Sequence, residues 1–355
     1  MGNALDYISW RGDLTFDRAP VNEIDIFLFA QIIAPDYTDI FNNTIDSLTL
    51  KDLSGRYFKE HTGERNNLGL LQSKSVLPSL KMMASSARYK NLLISRYVNK
   101  TKTSMTEQFC AFTVEAPGDF ICIVFQGTDD TIIGWKEDFE LASRDIVPSH
   151  LDAVNYLNGV VKNSDAPKVY ICGHSKGGNL SLYSAVNADP DVRARITTAV
   201  SFDGPGFRDE FFESNNYPEM EKRLVTVLSN YSTVGLLLRL AGRRVIVRSD
   251  MKGPMAHDGF YWEVMGPKFL KTTKLSHRSM KFDRVLDDIL LNMDEKARLE
   301  FTDELFSYLL STGATTITEL TTLGFKETTE LIMDISQSPK LSAFLKQALS
   351  SFFNT

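Results

Sequence analysis

The chain lacks the features that mark secreted, fibrous and membrane-spanning proteins. Its three cysteines, Cys110, Cys122 and Cys172, are too few and too irregularly spaced for a disulfide framework or a zinc site, so we expect buried, reduced thiols. Charges appear too early in the first 13 residues for the apolar core of a signal peptide. The most apolar stretch, Ile24–Ala34, contains Asp25 and has about half the length of a membrane span. These absences favour a cytoplasmic protein without a transmembrane segment.

The charge balance argues against a nucleic-acid partner. The chain has 39 lysines and arginines against 45 aspartates and glutamates, a net charge of −6, and no concentrated basic patch. Hydrophobic residues make up 43% of the chain, a fraction that excludes disorder. The 355 residues amount to roughly two domains of about 150 residues, and one large α/β domain with insertions fits equally well.

Strand and helix patterns alternate through the middle of the chain. Apolar runs predict strands at Gln108–Glu115, Phe120–Phe125, Lys168–Cys172, Ile196–Phe202, Leu224–Leu228 and Val245–Val247. Helical patterns occur at 21–34, 77–98, 134–143, 149–162 and 178–188, and again from about 279 to the end. Strands that alternate with helices at this spacing predict a mostly parallel sheet covered on both faces.

The clearest motif lies between the strand Lys168–Cys172 and the helix that follows it. The stretch Gly173-His-Ser-Lys-Gly177 contains Gly-x-Ser-x-Gly, the pattern of a nucleophile elbow, in the strand–turn–helix setting that this motif requires. The glycines leave room for a sharp turn that exposes the Ser175 hydroxyl at the edge of the sheet. The backbone amide of Lys176 then faces a developing oxyanion, while its side chain is expected to be exposed.

A serine nucleophile needs a general base, which is usually a histidine. In hydrolases with this elbow the chain order is serine, acid, histidine. Only His257 and His277 follow Ser175. His257 lies in a glycine-flanked loop after the sixth strand, where a catalytic histidine belongs, whereas His277 is interpreted as a surface residue.

The acid that orients the histidine has several candidates. Asp203 directly follows the fourth strand, which places its carboxylate at the same edge of the sheet as the elbow, although a turn aspartate would look the same. Asp250, after the sixth strand, is the alternative. Asp258 adjoins His257 in sequence and is badly placed to orient its ring.

A second oxyanion donor is expected in the loop after an earlier strand. The stretch Phe125-Gln-Gly-Thr-Asp-Asp130 follows the second strand. We therefore predict that the backbone amide of Thr128, supported by its hydroxyl, completes the oxyanion hole.

These motifs together resemble a known family. Val124–Thr128, Trp135 with Asp138 three residues on, and Gly-His-Ser-Lys-Gly-Gly resemble the class 3 lipase-like branch of the α/β-hydrolases. The following further stretches resemble a bacterial subfamily of that branch: Asp6–Asp13, Trp135–Asp138, Phe202–Phe207 and His257-Asp258. The similarity spans about residues 1–265.

The resemblance implies a serine hydrolase of carboxylic esters that needs no metal or organic cofactor. It implies Ser175 as nucleophile, His257 as base, and Thr128 and Lys176 at the oxyanion hole. Class 3 lipases usually carry the acid after the next strand, in a stretch like Asn-x-x-Asp. The corresponding stretch here, Ser229–Gly235, contains no carboxylate. We therefore favour Asp203 as the acid.

The resulting prediction is an α/β-hydrolase domain over residues 1–278 and a C-terminal helical extension, 279–355, packed on it. Within the domain, a helical N-terminal extension (1–106) precedes a core (107–265). The expected partner is a small-molecule or lipid ester substrate. The alternative is a non-catalytic protein of the same fold that binds an acyl ligand, a membrane surface or a protein partner. In that case the apolar stretch Leu236–Leu240 would serve as a lid or an interface, although core packing is the favoured interpretation of this stretch.

Overall fold

The computed structural model describes residues 2–41, 45–62, 68–69, 72–276, 294–324, 338 and 341–342. Within these residues a mixed sheet forms the centre of the molecule. The strands in chain order are β1 (Ser47–Thr49), β2 (Leu93–Lys102), β3 (Glu107–Ala116), β4 (Phe120–Phe125), β5 (Lys168–His174), β6 (Ile196–Phe202), β7 (Leu224–Ser229), β8 (Arg243–Val247), β9 (Val264–Met265), β10 (Lys268–Phe269) and β11 (Lys271–Thr272).

The sheet order is β1-β2-β3-β4-β5-β6-β7-β8-β11, and β9 pairs separately with β10. The strands from β4 to β8 run parallel, whereas β1 to β4 and the β8–β11 pair are antiparallel. All six strands predicted from the sequence are present. The predicted parallel pairing therefore holds for the centre of the sheet, and the edges make it mixed.

Helices cover the sheet. In chain order they are α1 (Ala4–Arg11), α2 (Glu23–Gln31), α3 (Leu50–Glu60), α4 (Val76–Ser85), α5 (Ile132–Leu141), α6 (Pro148–Lys162), α7 (Lys176–Asn187), α8 (Pro190–Arg195), α9 (Asp209–Glu213), α10 (Tyr217–Met220), α11 (Glu295–Ser311) and α12 (Ile317–Thr321). In the described part of the chain, none of them combines the length and the apolar character needed to cross a bilayer.

The region before residue 107 is less helical than predicted. The helical pattern over 77–98 corresponds to α4 followed by β2, which pairs along its length with β3. The prediction is wrong for the second half of this stretch because β2 has a mixed, half-exposed burial pattern that lacks a clear period of two. The strand β1 extends the same edge of the sheet.

Apolar side chains fill both faces of the sheet. On one face α2 contributes Phe27 and Phe29, which lie in the same core as Phe202 and Trp262, and Phe27 packs directly on both of these rings. On the other face α6 and α7 pack on β3, β4 and β5. All three cysteine thiols are free and buried, as predicted.

The C-terminal helix α11 packs against α5. Phe306 and Ile132 lie in a small separate core between the two helices, and the Asp294 side chain caps the first turn of α11. This helix confirms the one predicted over 294–311. The helix predicted over 281–293 and the surface position predicted for His277 lie outside the described residues. The domain limits stay a prediction.

Candidate active site

The turn between β5 and α7 has the geometry of a strained elbow. Ser175 has φ 57° and ψ −131°, a backbone conformation that L-residues rarely adopt and that costs about 1–3 kcal/mol. Its amide donates to the carbonyl of Phe202 at 3.0 Å, which holds the turn against the end of β6. The serine therefore sits at the carboxyl end of the parallel strands.

The glycines beside the elbow are needed for close backbone approach. A Cβ on Gly173 would collide with the backbone of Gly177, and a Cβ on Gly177 would collide with the carbonyl of Phe125. The strand, the turn and the neighbouring strand β4 therefore pack closer than any other residue type at these two positions would allow.

Asp203 and His257, which are 54 residues apart in the chain, meet at this edge. His257 Nδ1 donates to Asp203 Oδ2 at 2.7 Å. The Asp203 side chain is fully buried and the His257 side chain is 24% exposed. A carboxylate only accepts hydrogen bonds, so this contact fixes the tautomer and leaves Nε2 of the neutral imidazole as an acceptor.

Each partner is held by its own loop. Asp203 follows β6 with φ 51°, and its amide donates to Val227 of β7 at 2.7 Å. His257 ends a 3₁₀ turn, Gly253–His257, and the fully buried Trp262 donates its indole N–H to Ala256 in that turn at 2.9 Å. The strand ends and a buried aromatic ring thus set the positions of the acid and the base.

The other candidate acids lie in different settings. Asp250 is exposed, and its backbone amide donates to the carbonyl of Tyr261. The carboxylate of Asp258 accepts the amide of Phe260 and caps the turn after His257. Burial raises the pKa of Asp258. Of these carboxylates, the structure brings that of Asp203 to His257.

His174, directly before Ser175, contacts the candidate base. Its Nε2–H donates to the backbone carbonyl of His257 at 2.8 Å, and the two rings lie 4.5 Å apart at their centroids. Burial, with a smaller contribution from the neighbouring His257, lowers the pKa of His174 to about 3. His174 is therefore neutral above that pH and adds no second positive charge beside His257.

The loop after β4 lies against the elbow. A Cβ on Gly127 would approach His174 O to 2.7 Å and Ser175 Cβ to 3.2 Å. The next residue, Thr128, donates its hydroxyl to Oδ2 of Asp138 on α5. Burial raises the pKa of Asp138 to about 6, although the charge of Lys176 opposes this shift.

The prediction of an exposed Lys176 side chain is wrong. This side chain is 1% exposed and forms an ion pair with the fully buried Glu137 of α5 at 2.9 Å. Its backbone N–H is the first of α7 and has no carbonyl partner within the helix, as expected at a helix N-terminus. The amide is therefore available to a ligand while the side chain points into the protein.

Ser232 is a site residue that the sequence reasoning missed. Its hydroxyl donates to Oδ1 of Asp203 at 2.5 Å and accepts the amide of Gly235 at 3.1 Å. It lies in the stretch Ser229–Gly235, which contains no carboxylate. Nothing in the sequence marked this hydroxyl, because its partner is 29 residues away.

The apolar stretch after this loop packs inward. Leu236 is buried and the leucines at 237 and 238 are half-buried, whereas Arg239 is exposed. The backbone of this stretch bonds to Gly206 and Phe207 at 2.7–3.1 Å.

Within the part of the chain that is described, Ser175 Oγ has no hydrogen bond to His257. Catalytic hydrogen bonds are often long without substrate and shorten in the Michaelis complex. The arrangement thus presents a serine at the sheet edge, a histidine oriented by a buried carboxylate, and the first backbone amide of α7 directly after the serine. This constellation can carry out acyl transfer.

The fold and the site define an α/β protein with a strained serine elbow next to the pair formed by His257 and the buried Asp203. A family model described as Mbeg1-like matches residues 83–307, which is more than half of the chain. The chain belongs to the Mbeg1-like family, a lipase-like family of class 3.

Comparisons with curated protein sequences and with solved structures do not narrow the family further. No curated protein sequence matches the chain. Among solved structures, the one titled "Crystal structure of M37 lipase" matches with a TM-score of 0.35 and 13% sequence identity, over 60% of this chain and 68% of that chain. A TM-score this low does not establish a shared fold.

Proposed function

We propose that the protein is a serine hydrolase of carboxylic esters built on an α/β-hydrolase fold. The observation that carries the proposal is the 2.7 Å hydrogen bond between His257 and the fully buried Asp203, beside a serine in a strained elbow. A buried carboxylate facing Nδ1 of a partly exposed histidine is the arrangement that prepares the other ring nitrogen to accept a proton.

In the proposed reaction, Ser175 Oγ attacks the ester carbonyl and His257 Nε2 takes the serine proton. Asp203 stabilises the imidazolium that forms. The amides of Thr128 and Lys176 donate to the tetrahedral oxyanion, and the N-terminus of α7 adds its dipole. The alcohol leaves with the proton from His257, and water activated by the same histidine then releases the acid.

The hydroxyl contact of Thr128 supports this assignment. Because Asp138 holds the Thr128 side chain, the backbone of the loop is fixed next to the serine before any substrate arrives. Fixed donors stabilise the oxyanion without reorganisation during the reaction.

Labelling with a fluorophosphonate probe tests the proposal. The wild-type protein should be labelled covalently and should hydrolyse p-nitrophenyl esters, and Ser175→Ala should lose both properties. Ser184→Ala is the matched control, because Ser184 is a buried serine farther along the same helix α7 whose hydroxyl donates to Ser181 O at 3.2 Å. Labelling that survives in Ser175→Ala, or its absence from the wild-type protein, would overturn the proposal.

A further inference from the structure

The ammonium group of Lys176 is fully used inside the protein. It donates to Glu137 Oε2 at 2.9 Å, to the backbone carbonyl of Gln108 at 2.8 Å and to the Gln108 side-chain oxygen at 2.5 Å. A lysine has three N–H donors, and all three have acceptors here. These three hydrogen bonds therefore hold the side chain in one position inside the protein.

Glu137 connects this lysine to further elements. Its Oε2 also accepts the amide of Gln108 at 3.0 Å, and its Oε1 accepts the amide of Ser149 at 3.0 Å. The ion pair thus joins the start of β3, the helix α5 and the N-terminus of α6 to the first residue of α7. All of these contacts are buried, so water does not compete for them.

The two members of the pair adjoin the two proposed oxyanion donors. Lys176 supplies one donor through its own backbone N–H. Glu137 is followed on α5 by Asp138, which binds the hydroxyl of Thr128, the residue that supplies the other donor. A continuous chain of contacts therefore runs from one side of the oxyanion hole to the other through the ion pair.

We propose that the Lys176–Glu137 ion pair is a positioning device that sets the distance and angle between the two oxyanion donors. This inference rests on the proposed ester hydrolysis for its kinetic consequence. Desolvation of a buried ion pair is costly, and apolar residues often replace such a pair without loss of stability. The directional contacts of this pair explain its position. They hold α7, which starts directly after Ser175, and α5, whose Asp138 binds the hydroxyl of Thr128.

The test is a neutral replacement of the pair, Lys176→Met with Glu137→Gln. The glutamine introduced at position 137 keeps one oxygen that can accept the amide of Ser149 or of Gln108, whereas its NH₂ group cannot accept the other amide. The backbone amide of residue 176 is unchanged. If the variant does not fold, Lys176→Gln, which keeps an N–H donor for Gln108 but carries no charge, is used in its place. The control is Arg88→Met, which breaks a second fully buried ion pair, Arg88–Asp25, whose hydrogen bonds involve none of the residues around Lys176.

Ester hydrolysis is measured well below the melting temperature of each variant. We expect kcat to fall by at least about tenfold with KM within about twofold, because misplaced donors weaken binding of the transition state and leave binding of the substrate intact. Arg88→Met is expected to be less stable but to keep its kcat per folded molecule. A neutral variant that folds and retains the wild-type kcat overturns the proposal.

Hydrogen exchange supplies a readout that does not depend on activity. Peptides that cover 126–131 and 175–178 should exchange faster in the neutral variant than in the wild-type protein, and faster than in Arg88→Met. Unchanged exchange in both peptides overturns the positioning role, even if no ester is cleaved. Absence of wild-type hydrolysis and labelling would instead count against the proposed function, and exchange would then decide the role of the ion pair alone.

Discussion

The substitution Asp203→Asn reverses the tautomer of His257 with little change in shape. Oδ1 of Asp203 accepts the hydroxyl of Ser232 at 2.5 Å, so the side-chain oxygen of the introduced asparagine should stay at that position. Its NH₂ group would then face Nδ1 of His257, where Oδ2 lies now at 2.7 Å. An NH₂ group can only donate there, so Nδ1 must accept and the ring proton moves to Nε2. The nitrogen that should take the serine proton would no longer be able to do so.

The size of the effect follows from this reversal. Loss of the correct tautomer in a Ser–His–Asp triad lowers kcat by about 10⁴-fold, which corresponds to about 5.5 kcal/mol in activation free energy. The cost in stability is smaller, about 1–3 kcal/mol for a lost charged hydrogen bond, because asparagine has nearly the same volume. The activity loss should therefore greatly exceed any loss of folded protein.

The assay is steady-state hydrolysis of a p-nitrophenyl ester at pH 7.5, with the folded fraction checked by circular dichroism. Asp250→Asn is the matched control, because this exposed aspartate was the alternative candidate for the acid and should leave kcat within about twofold of wild type. A loss below about tenfold in a folded Asp203→Asn variant would refute the reasoning. So would an equal loss in Asp250→Asn.

Three other predictions concern the surroundings of the site. Thr128→Val removes the hydroxyl held by Asp138 but keeps the backbone donor, so steady-state kinetics should show kcat lowered by about 10- to 100-fold at nearly constant KM, and an unchanged kcat would contradict the anchoring role. Burial lowers the pKa of His150 from 6.5 to about 4. The unfolded chain therefore binds a proton at His150 at a higher pH than the folded protein does. The free energy of unfolding thus falls as the pH drops between these two values, by up to about 1.4 kcal/mol per pH unit. In urea titrations from pH 7 to 4.5, the free energy of unfolding of His150→Leu should depend less steeply on pH than that of the wild-type protein. An equally steep dependence would show that other groups cause the loss of stability. Phe306→Ala should lower the free energy of unfolding by about 3–5 kcal/mol in urea titrations, because Phe306 is 2% exposed between α11 and α5, and a change below about 1 kcal/mol would mean that α11 does not contribute to stability.

The parts of the site that were predictable are those that local sequence or chain order encodes. The elbow is local, because a strand, two glycines, a serine and a helix follow one another without interruption. His257 and Asp203 were predicted together because parallel strands bring their carboxyl ends to one edge. The buried lysine was not predictable in this way, because its acceptors Gln108 and Glu137 lie 68 and 39 residues away and an isolated lysine is nearly always exposed.

The absence of a carboxylate from Ser229–Gly235 follows from the position of Asp203. The Ser232 hydroxyl lies 2.5 Å from Oδ1 of Asp203, and a Cβ on Gly235 would clash with that same oxygen. An aspartate at position 232 would press a second carboxylate against the first, and two ionised carboxylates at that distance repel so strongly that one would hold a proton. A protonated acid at Asp203 could no longer stabilise an imidazolium. A hydroxyl donor and a glycine at these two positions therefore fit a fully buried carboxylate at the end of β6. In the proposed mechanism, the loop after β7 supports the acid instead of supplying it.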